Sequence, residues 1–395
     1  MKIRIWLALL MAACLFLAGC QNEPATKVPD VEPVATYDWM AGESPIPNQR
    51  SGIFRACVNK ADATVSPSGV YFAPELDDLE GRYILYADHG SDTFIKLCGR
   101  ADCTHATPDC NAYIYAGQVI SYYDGYLYAV SGVGGGVEQC DLIRMDPDGS
   151  NRVTLLDLDA FAAEHDGDYA KCHLITEGLC LFGVYYWKPK EDGSFSGVQK
   201  GYYYFKLDGS MEEPVSAKLN GLDCYNCGDV FLVYSDEAQN GGEYGSYLDW
   251  DSDTNTATYL TDHSGQPGWY GEKEAYYFKD GAICRLNYAT QTEEKLVDTG
   301  LEGKYYLFSF PDCMVVASRT GGADDNLYIY NWAYELVDTV KGPKSNDAMQ
   351  HLLLAETAER FIFSDTWDGA PLYYINKSEL GTGNAKLHSF KLPDL

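Results

Sequence analysis

Three cysteines and one histidine lie close together near the end of the first quarter of the chain. Cys98, Cys103, His105 and Cys110 follow the spacing C-x4-C-x-H-x4-C. Thiolate sulfur and imidazole nitrogen are the ligands that zinc prefers, and four such ligands complete its tetrahedral shell. Because no position would remain open for water, a metal bound here is predicted to be structural rather than catalytic.

The same cysteines have a second interpretation. Outside the cytoplasm, cysteines pair as disulfides, and Cys103 with Cys110 would make the short closure of this loop. A functional role of the cluster is a third interpretation. The spacing alone does not choose among a disulfide, a structural metal and a functional site.

Two acidic segments resemble calcium loops. Asp249, Asp251, Asp253 and Asn255 alternate along one segment, and residues 146–151 form another. Neither has the glycine and the distal glutamate of an EF-hand, and such residues are also common in hairpin turns. Calcium binding and an ordinary turn therefore both remain open.

Motifs that would indicate catalysis are absent from the sequence. It contains no Gly-x-Ser-x-Gly and no His-Glu-x-x-His. Asp88–His89 and Cys172–His173 are adjacent pairs, but neighbouring residues of a strand point to opposite faces. The acids are too numerous for a glycosidase pair to be chosen from them.

The N-terminus has the order of parts of a secretory signal peptide. Lys2 and Arg4 precede an apolar run, residues 5–19, that ends in Leu-Ala-Gly before Cys20. A membrane-spanning helix needs about 20 apolar residues, so a permanent span is disfavoured. The Leu-Ala-Gly-Cys sequence resembles the lipobox of bacterial lipoproteins, which implies cleavage before Cys20 and acyl chains on its sulfur. Two or three such chains would anchor the chain stably to a membrane.

Residues 20–50 are predicted to be a tether between the anchor and the folded domain. They are rich in proline and acids and lack apolar periodicity. The predicted organisation is therefore a signal peptide (1–19), a lipidated cysteine with a disordered tether (20–50) and one domain (51–395), with its first strand near Ile53.

The chain is strongly acidic, with 58 acidic against 29 basic residues and a net charge of −29. Removing residues 1–19 takes away Lys2 and Arg4, so the mature charge would be 27 − 58 = −31. Such a charge disfavours nucleic acid and bare anionic lipid as partners.

A repeated segment predicts the fold. An apolar or aromatic strand ending in Asp or Asn recurs, and the copies end 36 to 62 residues apart. Short strands at that spacing are typical of β-propeller blades, so we predict an all-β propeller of seven four-stranded blades, with six or eight as alternatives. The copies are residues 142–146, 203–208, 247–251, 283–287, 327–331 and 372–376, with an earlier copy at 94–97 that ends in Cys98.

Other segments fit blades of this kind. Asp124–Gly125 between apolar runs predicts a hairpin. Residues 159–165 predict one helical turn between blades, and residues 189–197 an extended hairpin loop. By analogy with other propellers, an N-terminal strand at 53–58 or 69–73 is expected to complete the last blade.

The cluster also resembles a motif of uncharacterised lipoproteins of Gram-positive anaerobes, in which a strand ending in Leu-Cys leads to Cys-x-His and then Cys-Asn-Ala. The matching residues here are Leu97, Cys98, Cys103, His105, Cys110, Asn111 and Ala112. The resemblance covers the lipobox, the tether and the first blade. It implies a propeller on the outer face of a Gram-positive membrane and supplies no catalytic residues.

Two classes of function are compatible with the sequence. The first is a membrane-anchored binding module for a protein, a peptide or a glycan at the cell surface, in which exposed Tyr and Trp supply contact area. The alternative is an extracytoplasmic carbohydrate-active enzyme with its site in the central funnel. The lack of a catalytic motif favours the binding module.

Overall fold

The computed structural model describes most of the chain and is almost entirely β-structure. The residues described are 38–44, 63–74, 81–105, 109–115, 119–132, 140–176, 178–219, 222–227, 230–235, 246–261, 266–271, 273–303, 305–318, 325–342, 352–364 and 372–394.

Thirty strands account for the architecture of this part of the chain. The first half contains β1 (Ala63–Val65), β2 (Gly69–Phe72), β3 (Gly81–Tyr83), β4 (Leu85–Asp88), β5 (Ile95–Lys96), β6 (Tyr113–Tyr115), β7 (Val119–Tyr123), β8 (Tyr126–Ser131), β9 (Asp141–Met145), β10 (Val153–Asp157), helix α1 (Leu158–Glu164), β11 (Tyr169–Thr176), β12 (Leu179–Pro189), β13 (Phe195–Lys206) and β14 (Val215–Ala217).

The second half contains β15 (Leu222–Cys227), β16 (Val230–Ser235), β17 (Ser246–Asp251), β18 (Thr256–Thr261), β19 (Gln266–Tyr270), β20 (Glu274–Lys279), β21 (Ala282–Asn287), β22 (Thr292–Asp298), β23 (Tyr305–Ser309), β24 (Met314–Ser318), β25 (Asn326–Tyr330), β26 (Leu336–Lys341), β27 (Leu352–Glu356), β28 (Arg360–Ser364), β29 (Leu372–Asn376), a 3₁₀ turn (Lys377–Glu379) and β30 (His388–Ser389).

These strands form a seven-bladed β-propeller, as predicted. Within the described residues, seven antiparallel sheets have four strands each: β1-β2-β4-β5 in blade one, then β7–β10, β11–β14, β15–β18, β19–β22, β23–β26 and β27–β30. The first strands of successive blades contact one another from β7 to β23, and β1 contacts both β7 and β27. Blades six and seven share an apolar cluster, so the ring is closed. Strands such as β23 are buried along their whole length because each sheet packs between two others.

The antiparallel order of strands in a blade separates the connections onto two faces. Turns between second and third strands lie on the same face as the connections from one blade to the next. We call this the insertion face. It carries α1, the turn of the long β12–β13 hairpin and the two-stranded sheet of β3 with β6.

Most predicted blade segments are confirmed as third strands, but the copy in blade one is wrong. Residues 94–97 overlap β5, the short fourth strand, whereas the third strand is β4, which ends at Asp88. Both segments are apolar and end next to a polar turn, so the local pattern does not separate them. The predicted helical turn is confirmed as α1, and the predicted hairpins are β7–β8 and β12–β13.

The predicted closure of the last blade by residues 69–73 is wrong. Blade seven contains its own four consecutive strands, and residues 69–72 form the second strand of blade one. A single parallel bridge between Thr93 and Lys391 joins blades one and seven instead. The other predicted closing segment, 53–58, lies outside the described residues, as does the predicted first strand near Ile53.

Part of the predicted tether packs on the propeller. Residues 38–44 lie along the turn between β25 and β26 of blade six, where Ala333 N–H donates to Ala41 O at 3.0 Å and Asn331 Nδ2 donates to Asp38 O at 3.1 Å. Trp39 packs against the apolar cluster of blades six and seven. Residues 38–44 thus belong to the same compact unit as the propeller.

Candidate metal centre

The Cys/His cluster occupies the connection from blade one to blade two, on the insertion face. The connection leaves from β5 and returns through β6, which pairs with β3. Ile84 holds both ends, since its N–H donates to Ala112 O at 2.7 Å and its carbonyl accepts from Leu97 N at 2.8 Å. Backbone hydrogen bonds thus close the base of the segment between Leu97 and Ala112, which we call the cysteine loop.

The structure brings all four predicted ligands together. The donor atoms of Cys98, Cys103, His105 and Cys110 all lie within 4.8 Å of one another, and His105 Nδ1 is 3.4 Å from Cys110 Sγ. Tetrahedral zinc with bonds of about 2.3 Å to sulfur separates its donor atoms by roughly 3.8 Å. A contraction of about 1 Å or less would therefore complete the shell, and the cluster could hold a metal ion.

Backbone N–H groups point at each of the three sulfur atoms. His105 N donates to Cys103 Sγ and Ala112 N to Cys110 Sγ, both at 3.4 Å. The N–H groups of Arg100 and Asn111 do the same for Cys98. Every cysteine thus accepts from the residue two positions later, an arrangement that stabilises thiolates.

The charge around the sulfur atoms differs from one cysteine to the next. Burial raises the pKa of Cys98, but the N–H groups of Arg100 and Asn111 outweigh it and hold this pKa below its usual value. Burial raises the pKa of Cys110 to about 11. One thiolate is therefore favoured by the loop itself, whereas the buried one needs a neighbouring cation.

Arg152 of blade two supplies a cation beside the loop. Its guanidinium donates to Tyr113 O at 2.5 Å and to Asn111 O. Burial lowers the pKa of Arg152, whereas the negative charges of Cys110 and Cys98 raise it. Three thiolates, a neutral imidazole and Zn²⁺ carry a net charge of −1, which this arginine would balance.

The backbone of His105 is in the left-handed region, with φ at 53°. For a residue with a side chain this conformation costs of order 1 kcal/mol and persists where its surroundings impose it. Here it accompanies a ring nitrogen close to the sulfur of Cys110. The strain is thus located at a ligand of the cluster.

The predicted disulfide is not formed in the structure, where Cys98, Cys103 and Cys110 are free thiols. A bond between Cys103 and Cys110 would use two of the donor atoms. The Cys98 thiol and the His105 ring would then be the only two donor atoms of the cluster left for a metal ion. The arrangement favours metal coordination over a disulfide.

The two acidic segments are occupied by turn contacts. Asp251 Oδ1 accepts from Asp253 N at 2.7 Å, and Asp253 pairs with Lys206. Asp148 Oδ1 likewise accepts from the N–H and hydroxyl of Ser150. Among the residues that the structure describes, the Cys/His cluster is the only group of three or more candidate metal ligands that converge.

An open cavity of about 350 Å³ adjoins the cluster, and the cysteine loop forms one of its walls. The rings of Tyr71 and Tyr86 line it, with their centroids 4.9 Å apart and their planes tilted by 44°. Its lining is Ser68, Tyr71, Tyr86, Ile95, Lys96, Leu97, Cys98, Gly99, Pro147 and Asp148.

The sequence did not reveal Arg152 or Gly149 as parts of this site. Gly149 has φ at 80°, and a Cβ there would lie 2.6 Å from Asn111 O and 3.1 Å from Leu97 O. In the sequence, the Asp148–Gly149 turn resembles only part of a calcium loop. Nothing in the neighbouring residues shows that it packs against the cysteine loop. Cys20 lies outside the described residues, and no helix in the described part of the chain is long and apolar enough to span a membrane.

The adjacent pairs of the sequence analysis do not form a catalytic arrangement with each other. His173 is half-buried, and the loss of solvent around its ring lowers its pKa to about 4. Its Nε2 lies 2.9 Å from the Tyr185 hydroxyl. His89 Nε2 lies 2.9 Å from the carbonyl of Ser66 in a turn of blade one. Both contacts are structural.

Known structures share the fold of this chain. A puromycin-hydrolyzing peptidase of Mycobacterium tuberculosis is 14% identical over 91% of this chain and 57% of its own, with a TM-score of 0.50. An acylaminoacyl peptidase of Pyrococcus horikoshii is 11% identical over 84% of this chain and 52% of its own, also at 0.50. The chain thus spans a little over half the length of each, and the likeness shows the propeller fold alone. No protein-family model and no curated protein matches the sequence.

Proposed function

We propose that this protein is a lipid-anchored, extracytoplasmic β-propeller that binds a protein, peptide or glycan at the cell surface, and that zinc holds the connection between its first two blades. The lipobox ending at Cys20 supports the anchor. The four converging donor atoms support the metal. The binding role rests on the aromatic side chains that the insertion face exposes.

One observation carries the binding role. Trp187 and Phe195 lie on the β12–β13 hairpin with 40% and 62% of their surface exposed, although hydrogen bonds hold the hairpin in a defined shape. Exposed aromatic residues on an ordered element are typical of interaction sites. The cavity beside the cysteine loop adds an apolar recess to the surfaces of this propeller that could bind a partner.

Elemental analysis of the purified mature protein tests the metal. We expect one zinc ion per chain, and loss of that zinc in Cys103→Ser. Cys284→Ser is the control, because Cys284 is a buried free thiol of blade five, outside the cluster. Absence of zinc together with a peptide crosslinked from Cys103 to Cys110 would overturn the zinc assignment.

Mass spectrometry and cell fractionation test the anchor. We expect the wild-type chain to begin at a diacylated Cys20 and to sediment with membranes, and Cys20→Ala to remain uncleaved or to be released. A mature N-terminus at any other residue contradicts the lipid anchor and leaves the zinc experiment unaffected.

A further inference from the structure

The β12–β13 hairpin extends past the strands on either side of it. The two strands pair from Leu179 with Lys206 out to Pro189 with Phe195. β11 begins at Tyr169, opposite Tyr185, and β14 covers only Tyr202–Tyr204. The outer part of blade three is therefore a two-stranded ribbon with two edges.

The pairing register shows which backbone groups point outward along these edges. Lys190 N donates to Ser194 O at 2.7 Å, so this pair is hydrogen-bonded across the ribbon. In an antiparallel ribbon such pairs alternate with pairs whose N–H and C=O groups point away from the partner strand. On β13 the outward groups therefore belong to Phe195, Gly197 and Gln199.

The edge formed by β12 confirms this alternation and is covered. Trp187 N–H donates to Asp168 Oδ2 at 2.5 Å, and Asp168 N–H donates to Tyr185 O at 2.7 Å. Tyr185 and Trp187 are the residues paired with Gln199 and Gly197. On the β12 edge, Asp168 thus pairs with one outward N–H group and one outward C=O group. The β13 edge presents outward groups of the same kind.

The edge formed by β13 is not covered by any residue that the structure describes. β14 ends at Ala217, and the chain then leaves the sheet, because Lys218 N donates to Asn255 Oδ1 of blade four at 2.9 Å. No hydrogen bond from the described residues reaches the outward groups of Phe195, Gly197 or Gln199. With respect to the described residues, Phe195–Gln199 is therefore an open strand edge of five residues.

Aromatic stacking holds this ribbon in shape. The ring of Tyr169 stacks on Tyr185 at 5.2 Å and on Trp187 at 4.6 Å. Its hydroxyl lies over Gly197, where a Cβ would come within 2.0 Å of the oxygen. A lone two-stranded ribbon is marginally stable, so this packing preorganises the open edge.

We propose that the edge of Phe195–Gln199 binds an extended segment of a partner polypeptide as an additional β-strand, with apolar side chains of that segment on Trp187 and Phe195. This inference rests on the proposed binding function and assigns it a site. Outward N–H and C=O groups recurring about every 6.8 Å match the repeat of a peptide backbone. A membrane surface fits less well, because the turn at the tip carries Glu191 and Asp192.

A phage-displayed random heptapeptide library is the probe for this site. We expect peptides with alternating apolar residues to be selected on the wild-type protein and to lose at least tenfold in affinity for Gln199→Pro, which removes one outward N–H. Gln199→Ala keeps that N–H, so it should retain at least ten times the affinity of Gln199→Pro. Equal melting temperatures of the two variants would show that the proline leaves the fold intact.

Backbone pairing is tested separately with N-methylated copies of a selected peptide. Methyl groups on alternate amides should abolish binding in one register and have little effect in the other. The proposal is overturned if no peptide is selected, if Gln199→Pro binds as well as Gln199→Ala, or if methylation in both registers is harmless. It is also overturned if Gln199→Pro instead removes a concentration-dependent dimer, since the occupant is then a second copy of this chain. None of these outcomes affects the zinc content or the lipid at Cys20, which are measured separately.

Discussion

Blade one is joined to its two neighbours by different chemistry. Its seam with blade seven contains backbone hydrogen bonds, one arginine and the packing of Phe94 on Phe390, whereas its seam with blade two contains a loop of thiols and an imidazole. The contacts of the first seam form between protein groups alone and require no bound ion. The second, with zinc bound as proposed, depends on an ion and on the oxidation state of three cysteines.

Arg360 is the centre of the seam with blade seven. Its guanidinium donates to Ser91 O at 2.5 Å and Gly90 O at 2.8 Å, and it lies 4.1 Å from the ring centre of Tyr374. Lys391 adds backbone bonds to both sides of Thr93. Among the described residues, these contacts join blades one and seven where the sequence predicts an exchanged strand.

Removal of zinc is expected to have the largest effect, confined to the seam with blade two. At free zinc about a thousandfold above its dissociation constant, chelation should lower the free energy of unfolding by about 4 kcal/mol. Denaturant unfolding with and without chelator measures the loss, and Cys103→Ser should show none. An unchanged wild-type midpoint would remove the difference between the two seams.

Arg360→Ala should cost about 3 kcal/mol, because two backbone carbonyls lose a charged donor. The loss should be the same with and without chelator. Arg144→Ala is the matched control, since Arg144 also lies over a tyrosine ring, that of Tyr126, but within one blade. A chelator-dependent loss in Arg360→Ala would mean that the two seams are coupled.

Gly149→Ala and Gly125→Ala compare two turns of blade two, of which only the turn at Gly149 packs against the cysteine loop. Gly149 and Gly125 have φ at 80° and 85°, so alanine is strained equally at both, but nothing lies within 4 Å of a Cβ at Gly125. We expect Gly149→Ala to cost roughly 2 kcal/mol more than Gly125→Ala and to weaken zinc binding. Equal unfolding free energies and equal zinc affinities would show that the turn does not support the cysteine loop.

Acid should produce the smallest effect, at the blade seven end of the chain. Burial raises the pKa of Glu379, but Asn376 and the His388 ring nitrogen at 2.9 Å outweigh it and lower this pKa. The contact therefore stabilises the fold above the usual carboxyl pKa and is lost as the pH falls through the lowered value.

Its contribution is about 1 kcal/mol for a partly exposed pair. Denaturant unfolding of the wild type and Glu379→Gln at pH 7 and pH 3 measures it. The two proteins should differ at pH 7 and converge at pH 3. A difference that grows in acid would contradict the assigned sign.

The blade strands and the ligands of the cluster could be predicted because each depends on residues that are close together in the sequence. The third strands of six blades follow from short apolar runs that end at a turn, and the four ligands of the cluster lie within one loop. Arg152, Asp168 and Arg360 escaped prediction because their hydrogen bonds to Tyr113, Trp187 and Gly90 span 39, 19 and 270 residues. The open edge of β13 escaped for the same reason, since it depends on where the next strand ends.

The packing of residues 38–44 on blade six has a consequence for orientation. That contact is at a turn between third and fourth strands, on the face opposite the insertion face. If the chain is anchored at Cys20 as proposed, the 17 residues 21–37 would lie between the lipid and this contact, and they could span at most about 60 Å at ~3.5 Å each. An anchor joined at this point would leave the insertion face, with the cysteine loop and the edge of β13, on the side of the ring opposite that contact.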